Sequence, residues 1–201
     1  MRRVPANTDA PCVAGTPTRR AVLKGAVGAA VGVVNVTLHV TGLAQDDPAG
    51  RRPQTGDLLV RASDAAMAPL GLDDVAAGAP TVAWAMDPTS RAIRNGSRFN
   101  QVLLVKLDPA ALAADTKARA VNGVVAYSII CPHSGCDVAE WMAAEQQLLC
   151  ACHSSVFDPK DGARVVDGPA PRNLPALPLG ASDGRLVVAG GFTDRVGFEA
   201  A

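Results

Sequence analysis

The chain has 201 residues and a formal net charge of zero, with 48% hydrophobic and 3% aromatic residues. A balanced charge and so few aromatic rings argue against the basic surfaces and stacking platforms on which nucleic-acid-binding proteins rely. The length suits one domain with a terminal extension, and 15 prolines with 19 glycines favour a loop-rich β architecture.

Residues 1–45 are typical of a targeting segment. Arg19 and Arg20 lie in the sequence TRRAVLK, which looks like a twin-arginine export signal, and an apolar run follows at 25–44. This route carries folded proteins to the periplasm. The run is just long enough to span a bilayer but contains polar residues, and small residues at 42–44 offer a cleavage site. A cleaved signal and a retained N-terminal anchor both stay open.

A charged, turn-rich stretch at 46–55 predicts a flexible linker, and the folded domain is predicted to span 56–201. An Asp cap with Pro in the first turn predicts one short helix over 108–120. Residues 141–147 are expected to form a loop or a single turn. Short runs rich in β-branched residues predict an all-β domain with strands at Asp57–Ala62, Thr81–Met86, Gln101–Leu107, Val124–Ile130, Leu148–Ala151, Arg164–Val166 and Arg185–Ala189.

The chemistry of the chain is concentrated in two boxes, CPHSGC at 131–136 and CACHSS at 150–155. They hold four of the five cysteines and two of the three histidines. Thiolates select zinc, copper(I) or iron–sulfur clusters, and imidazole suits several first-row metals. The pattern therefore predicts a metal site. It fits a 2Fe–2S cluster in which two histidines replace two cysteines on one iron, with a second cysteine pair left over.

Two other arrangements of these residues stay open. A structural zinc ion needs only four ligands and would leave two cysteines stranded beside an occupied site. A framework of disulfides alone would leave both histidines without a role. The mixed cluster accounts for the whole set, so the composition of the boxes favours it.

The pair of boxes resembles the two cluster-binding boxes of Rieske iron–sulfur proteins. The resemblance implies that Cys131 and Cys150 bind one iron of a 2Fe–2S cluster. His133 and His153 match the ligands of the other iron. The family also implies a Rieske-type fold of antiparallel sheets, with an inserted cluster-binding subdomain near 127–167.

Other positions match the same family. Cys136 and Cys152 correspond to a disulfide between the two loops, which ring-hydroxylating oxygenases and their ferredoxins usually lack, so the resemblance is to the exported, respiratory branch. The stretch 168–174 is similar to the proline loop that covers the cluster. Ser155 matches a serine that bonds a bridging sulfide, whereas Phe157 stands where high-potential members have a tyrosine that bonds a ligand cysteine. We therefore expect a potential below the upper end of the Rieske span, roughly −150 to +300 mV.

The resemblance implies one-electron transfer, and no residue of this chain is predicted to be catalytic. The first hypothesis is the small subunit of a periplasmic molybdenum oxidoreductase of arsenite oxidase type, whose partner is a catalytic large subunit of the molybdopterin type. The stretch 87–109 looks more like that family. The alternatives are the Rieske subunit of a quinol-oxidising cytochrome bc complex, with cytochrome b and c partners, and a free periplasmic electron carrier.

Overall fold

The computed structural model describes residues 47–198, so the targeting segment predicted at 1–45 lies outside the described residues. Short 3-10 turns occupy Arg98–Asn100 and Pro109–Ala111. No helix between residues 47 and 198 is long and apolar enough to cross a membrane. In this part of the chain the strands and the α-helix are, in order, β1 Leu58–Arg61, β2 Thr81–Met86, β3 Val102–Lys106, α1 Ala114–Lys117, β4 Val124–Ser128, β5 Glu140–Met142, β6 Gln147–Cys150, β7 Ser155–Asp158, β8 Arg164–Asp167, β9 Leu179–Ser182 and β10 Arg185–Val188.

The strands pair antiparallel and form two sheets. The larger sheet has six strands in the order β4-β3-β2-β1-β10-β9, and the smaller sheet has four in the order β5-β6-β7-β8. The smaller sheet is therefore an insertion in the chain between β4 and β9. These findings confirm the predicted fold class of antiparallel sheets with one short helix.

Strand β3 is apolar almost throughout because both of its faces are covered. Leu103 belongs to a core that reaches the smaller sheet, whereas its neighbour Leu104 belongs to a second core inside the larger sheet. Successive side chains of a strand point to opposite faces, so a strand covered on both sides needs a continuous apolar run. The first core also contains Cys131 and Cys150, which places both cysteines in the main packing of the domain.

The predicted strands agree with the structure to within one or two residues at each end. The expectation of a loop at 141–147 is wrong in part, because β5 extends to Met142 and pairs with β6. Strands β7 and β9 were not predicted. Strand β7 begins inside the second box and β9 has the sequence LGAS, so neither is a run of β-branched residues. The pairing with β6 and with β10 defines these two strands.

The helix predicted over 108–120 is broken in the middle. Asp108 caps the first turn, since its carboxylate accepts the Ala110 N–H at 2.9 Å. The Ala113 N–H then donates to the Lys160 carbonyl at 3.0 Å, just before α1 begins. This long-range hydrogen bond replaces a helical one, so α1 keeps a single turn.

The described part of the predicted linker, 47–55, is hydrogen-bonded to the domain. The Arg94 side chain donates to the Pro48 carbonyl at 2.9 Å, over a separation of 46 residues. Arg94 also forms an ion pair with Asp57 at 3.1 Å, in which both side chains are 3% exposed. The composition of the linker gives no sign of these contacts, because the buried donor is remote in sequence. The domain boundaries themselves stay predictions.

Candidate metal centre

The two boxes form neighbouring loops. The first follows β4 and leads to β5, and the second is the turn between β6 and β7. Cys150, the last residue of β6, pairs with Ser155, the first residue of β7. Ser154 takes a left-handed φ of 59° to close the turn between them. The hairpin thereby brings the second box beside the first.

The first loop, 131–136, folds back on itself. The Cys131 N–H donates to the Cys136 carbonyl at 2.8 Å, and the Gly135 N–H donates to the Cys131 carbonyl at 3.0 Å. Gly135 has a φ of +80°, which strains any residue with a side chain. These hydrogen bonds hold the backbone on both sides of His133.

Cys131 and Cys150 carry thiols that are buried and form no disulfide within the described residues. Burial raises the pKa of the Cys131 thiol, and the adjacent Cys150 thiol acts in the same direction, while the His133 N–H opposes them. A protonated thiol in apolar surroundings is inert, whereas a bound metal ion displaces the proton and stabilises the thiolate. The pair is therefore suited to hold a metal in a site closed to water.

His133 and His153 lie against each other, with ring centroids 4.6 Å apart and ring planes at 84°. The Nδ1 atom of His133 is buried and has no hydrogen-bond partner among residues 47–198. His153 is exposed, and its Nδ1 lies 3.5 Å from the Ser134 hydroxyl. A buried ring nitrogen without a partner is costly unless something binds it. The orphaned nitrogen therefore fits the role of a metal ligand.

Cys136 and Cys152 form the predicted disulfide between the two loops, with their Cα atoms 6.6 Å apart. Both sulfurs lie within 4.8 Å of the Cys150 sulfur. Three sulfurs thus share a small volume, but two of them are bonded to each other and are not thiolates. The remaining donors for a metal are the thiols of Cys131 and Cys150 and the two imidazoles.

Known proteins with similar sequences identify the family. A family model for the Rieske [2Fe-2S] domain matches residues 84–178. The cytochrome bc1 complex Rieske iron–sulfur subunit of Streptomyces lividans is 35% identical over 133 residues, which are 64% of this chain and 78% of that protein. The chain belongs to the Rieske iron–sulfur proteins. It carries a 2Fe–2S cluster and functions in electron transfer.

Other relatives are matched over a smaller share of their length. The bc1 Rieske subunit of Streptomyces coelicolor is 35% identical over 64% of this chain and 38% of that protein. A protein of Haloferax mediterranei, named as the Rieske subunit of a respiratory nitrate reductase, is 46% identical over 38% of this chain and 34% of that protein. The chain thus spans less than half the length of both. The solved plasma membrane Rieske protein of Synechocystis PCC 6803 is 23% identical over 59% of this chain and 93% of that one, with a TM-score of 0.40.

The proline loop of this Rieske protein, 168–174, packs on the second box. The Ala170 N–H donates to the Ser155 hydroxyl at 3.1 Å, and Ser155 is fully buried. A Cβ at Gly168, which has a φ of +85°, would lie 2.4 Å from the Ser155 Cα atom, so this approach requires glycine. Burial raises the pKa of Cys131, and the Ser155 hydroxyl opposes this shift only weakly. Its predicted bond to the cluster stays a prediction.

Phe157 lies fully buried beneath the second box. It pairs with Leu148 across the hairpin, as Ser155 pairs with Cys150. Side chains two residues apart on a strand share a face, so the Phe157 ring lies on the face that carries Ser155. The ring has no hydrogen-bond donor, in contrast to a tyrosine at the same position.

The first box is also held from outside by residues that no motif marks. Arg98 donates to the Gly135 carbonyl at 2.8 Å and forms an ion pair with Asp137 at 2.6 Å. The ring of Phe198 lies against Gly135, since a Cβ on that glycine would be 2.7 Å from it. Both residues are remote from the box in sequence, so no spacing pattern could have indicated them.

Proposed function

We propose that Cys131 and Cys150 bind one iron of the Rieske cluster. His133 and His153 bind the other, and single electrons enter and leave on the histidine side. The observation that carries this assignment is the donor set: two buried thiols and, two residues after Cys131, a buried imidazole nitrogen that lacks a hydrogen-bond partner in the described part of the chain. The cysteines of the disulfide are not needed as ligands.

The histidine side is the accessible side of the centre. The two thiols are each 1% exposed, whereas His153 is exposed and His133 is half-buried. Electron transfer between proteins requires a close approach of the redox groups, so a partner docks where the imidazole edges reach the surface. When bound, the cluster supplies one-electron chemistry, and neutral imidazoles in place of two thiolates raise its potential. The protein thus keeps the cysteine ligands away from water and leaves the histidine ligands accessible at the surface.

Electron paramagnetic resonance of the reduced protein tests the ligand assignment. We expect the low average g-value that nitrogen ligation gives, and we expect His133→Ala and His153→Ala each to lose the cluster. Ser134→Ala is the matched control, because Ser134 lies 3.5 Å from the His153 ring without being a ligand, and it should keep the signal. An all-sulfur signal, or zinc in metal analysis, would overturn the assignment.

Two respiratory complexes are candidates for the assembly in which this chain transfers electrons. A quinol-oxidising cytochrome bc complex, with cytochrome b and c partners, is supported by the relative of which this chain covers 78%. A periplasmic molybdenum oxidoreductase of arsenite oxidase type, with a molybdopterin-type large subunit, is supported by the resemblance of 87–109. The relative named as the Rieske subunit of a respiratory nitrate reductase, 46% identical over 38% of this chain, supports a partner enzyme other than cytochrome bc1. A free electron carrier is the third possibility.

Purification of the tagged, full-length chain with its bound partners distinguishes the candidates. Co-purified molybdopterin supports the molybdenum complex, and b-type haem supports the cytochrome bc complex. A chain that purifies alone from both the membrane and the periplasmic fraction supports the free carrier. The matched control is the same purification from cells that express the untagged chain.

We also propose that 1–45 directs export of the folded domain to the periplasmic side of the inner membrane. Insertion of a cluster in the cytoplasm requires folding before transport, so the twin-arginine route suits this chemistry. The exported protein is soluble or remains anchored by its N-terminal segment. The folded Rieske domain spans 56–201, with its cluster-binding part near 127–167.

A further inference from the structure

We propose that residues 193–198 form a strap that positions the first cluster loop, 131–136. The positioning residues are Phe198, at the end of the strap, and Arg172, which binds the strap from the proline loop. The strap starts beside Ala176, which precedes β9 and forms an isolated bridge with Tyr127 of β4. The Thr193 N–H donates to the Ala176 carbonyl at 2.9 Å, and the Thr193 hydroxyl accepts the Ala176 N–H at 2.9 Å. This reciprocal pair fixes the start of the strap beside Ala176.

Arg172 ties the middle of the strap to the proline loop, 168–174. Its guanidinium donates to the Arg195 carbonyl at 2.7 Å and to the Gly197 carbonyl, and it lies 3.6 Å from the Asp194 carboxylate. A planar guanidinium can bind two carbonyls at a fixed spacing, which a lysine ammonium cannot do. Because the proline loop packs on the second box, Arg172 couples the strap to that box as well.

The end of the strap closes over the first cluster loop. Val196 is buried in the core that contains Cys131 and Cys150. Gly197 has a φ of +99° and lies against the Phe99 ring, which a Cβ would approach to 2.8 Å. Phe198 in turn covers Gly135, where a Cβ would be 2.7 Å from its ring. Two glycines thus make room for two aromatic rings.

Gly135 is the point at which the strap can act on the cluster. It lies two residues after His133, its N–H donates to the Cys131 carbonyl, and its own carbonyl accepts from Arg98 at 2.8 Å. The Phe198 ring adds an apolar contact to these two polar ones. A displacement of Gly135 would therefore move the backbone that carries His133. The Phe198 contact is made at Gly135, and the imidazole edges stay open to a partner.

Because Phe198 is partly exposed, replacing it tests the positioning of the loop with little effect on the general stability of the domain. The ring is 42% exposed and lies at the edge of the core, so its removal leaves no large cavity. The exposed large hydrophobic residues of the described chain are Phe198 and Val166. Val166 lies on β8, outside the strap and the first cluster loop, and serves as a matched control of similar exposure.

Iron release to a chelator and amide hydrogen exchange test this proposal on the full-length protein. We expect Phe198→Ala to release iron on the order of tenfold faster. The ring is about half buried, so its removal loses about half of the free energy that full burial of a phenylalanine side chain provides. Exchange at 134–136 should accelerate in both the cluster-loaded and the cluster-free protein. Phe198→Leu should restore most of the protection, and Val166→Ala should change neither quantity.

Arg172→Lys tests the second positioning residue, and Arg164→Lys is its control. Arg164 has an exposed ion pair with Asp161 at 2.9 Å and does not belong to the strap. We expect the Arg172 variant to accelerate iron release and exchange at 134–136, and the Arg164 variant to match the wild type. A Phe198→Ala variant that released iron at the wild-type rate would overturn the proposal. Acceleration spread evenly over the domain would also overturn it, because that result indicates general destabilisation.

Discussion

Replacing Phe157 by tyrosine adds one hydroxyl to the face of the hairpin that carries the second box. Phe157 lies opposite Leu148, and Ser155 lies opposite Cys150. Cys150 is thus the diagonal neighbour of Phe157. Diagonal pairs in antiparallel strands lie roughly 7–8 Å apart, within reach of an aromatic side chain. We expect the new hydroxyl to donate to the Cys150 sulfur.

The expected change in potential follows from the strength of one hydrogen bond. A bond to a ligand sulfur stabilises the electron-rich reduced cluster more than the oxidised cluster. If the difference equals a net hydrogen bond of about 0.5–1.5 kcal/mol, the potential rises by roughly 20–60 mV, since about 59 mV is a tenfold change for one electron. Protein-film voltammetry measures this shift. Ser155→Ala should lower the potential, because it removes a hydroxyl donor that is already present.

A tyrosine hydroxyl that found no partner would give a different pair of results. A buried, unsatisfied hydroxyl costs about 1–3 kcal/mol, which would lower the Tm by roughly 2–12 °C and leave the potential unchanged. Phe192→Tyr is the control, because it adds the same hydroxyl at a half-buried position after β10. The account would be refuted if the Phe157→Tyr variant showed no rise in reduction potential, or if the wild-type potential lay at the top of the Rieske span.

Three further predictions concern other parts of the chain. Arg94→Met should lower the free energy of unfolding by about 3–5 kcal/mol in urea titrations, because it leaves the Asp57 carboxylate buried and unpaired; Asp57→Asn in the same protein should recover part of the loss. Cys136→Ser should cost about 2–4 kcal/mol of stability, and mass spectrometry that found both thiols free in the exported wild type would contradict the disulfide. Arg19→Lys with Arg20→Lys should leave the protein in the cytoplasm by cell fractionation, and normal periplasmic delivery would count against the signal.

The metal chemistry and the fold class could be read from short stretches of sequence. Ligand type is a property of single side chains, so the boxes at 131–136 and 150–155 indicate a mixed Cys and His centre without knowledge of the fold. Runs of β-branched residues likewise predict strands such as Thr81–Met86, which the structure reproduces without change. Both signals need only a few neighbouring residues.

Long-range contacts set the features that no short stretch reveals. The predicted helix breaks where the Ala113 N–H finds the Lys160 carbonyl, and the linker is bound by Arg94 from 46 residues further along the chain. The first cluster loop is likewise held at Gly135 by Phe198. Each contact joins segments that are neighbours in space alone. Which of these contacts form depends on how well the side chains fit together and on whether buried polar groups find hydrogen-bond partners. Both conditions are defined only in the folded chain.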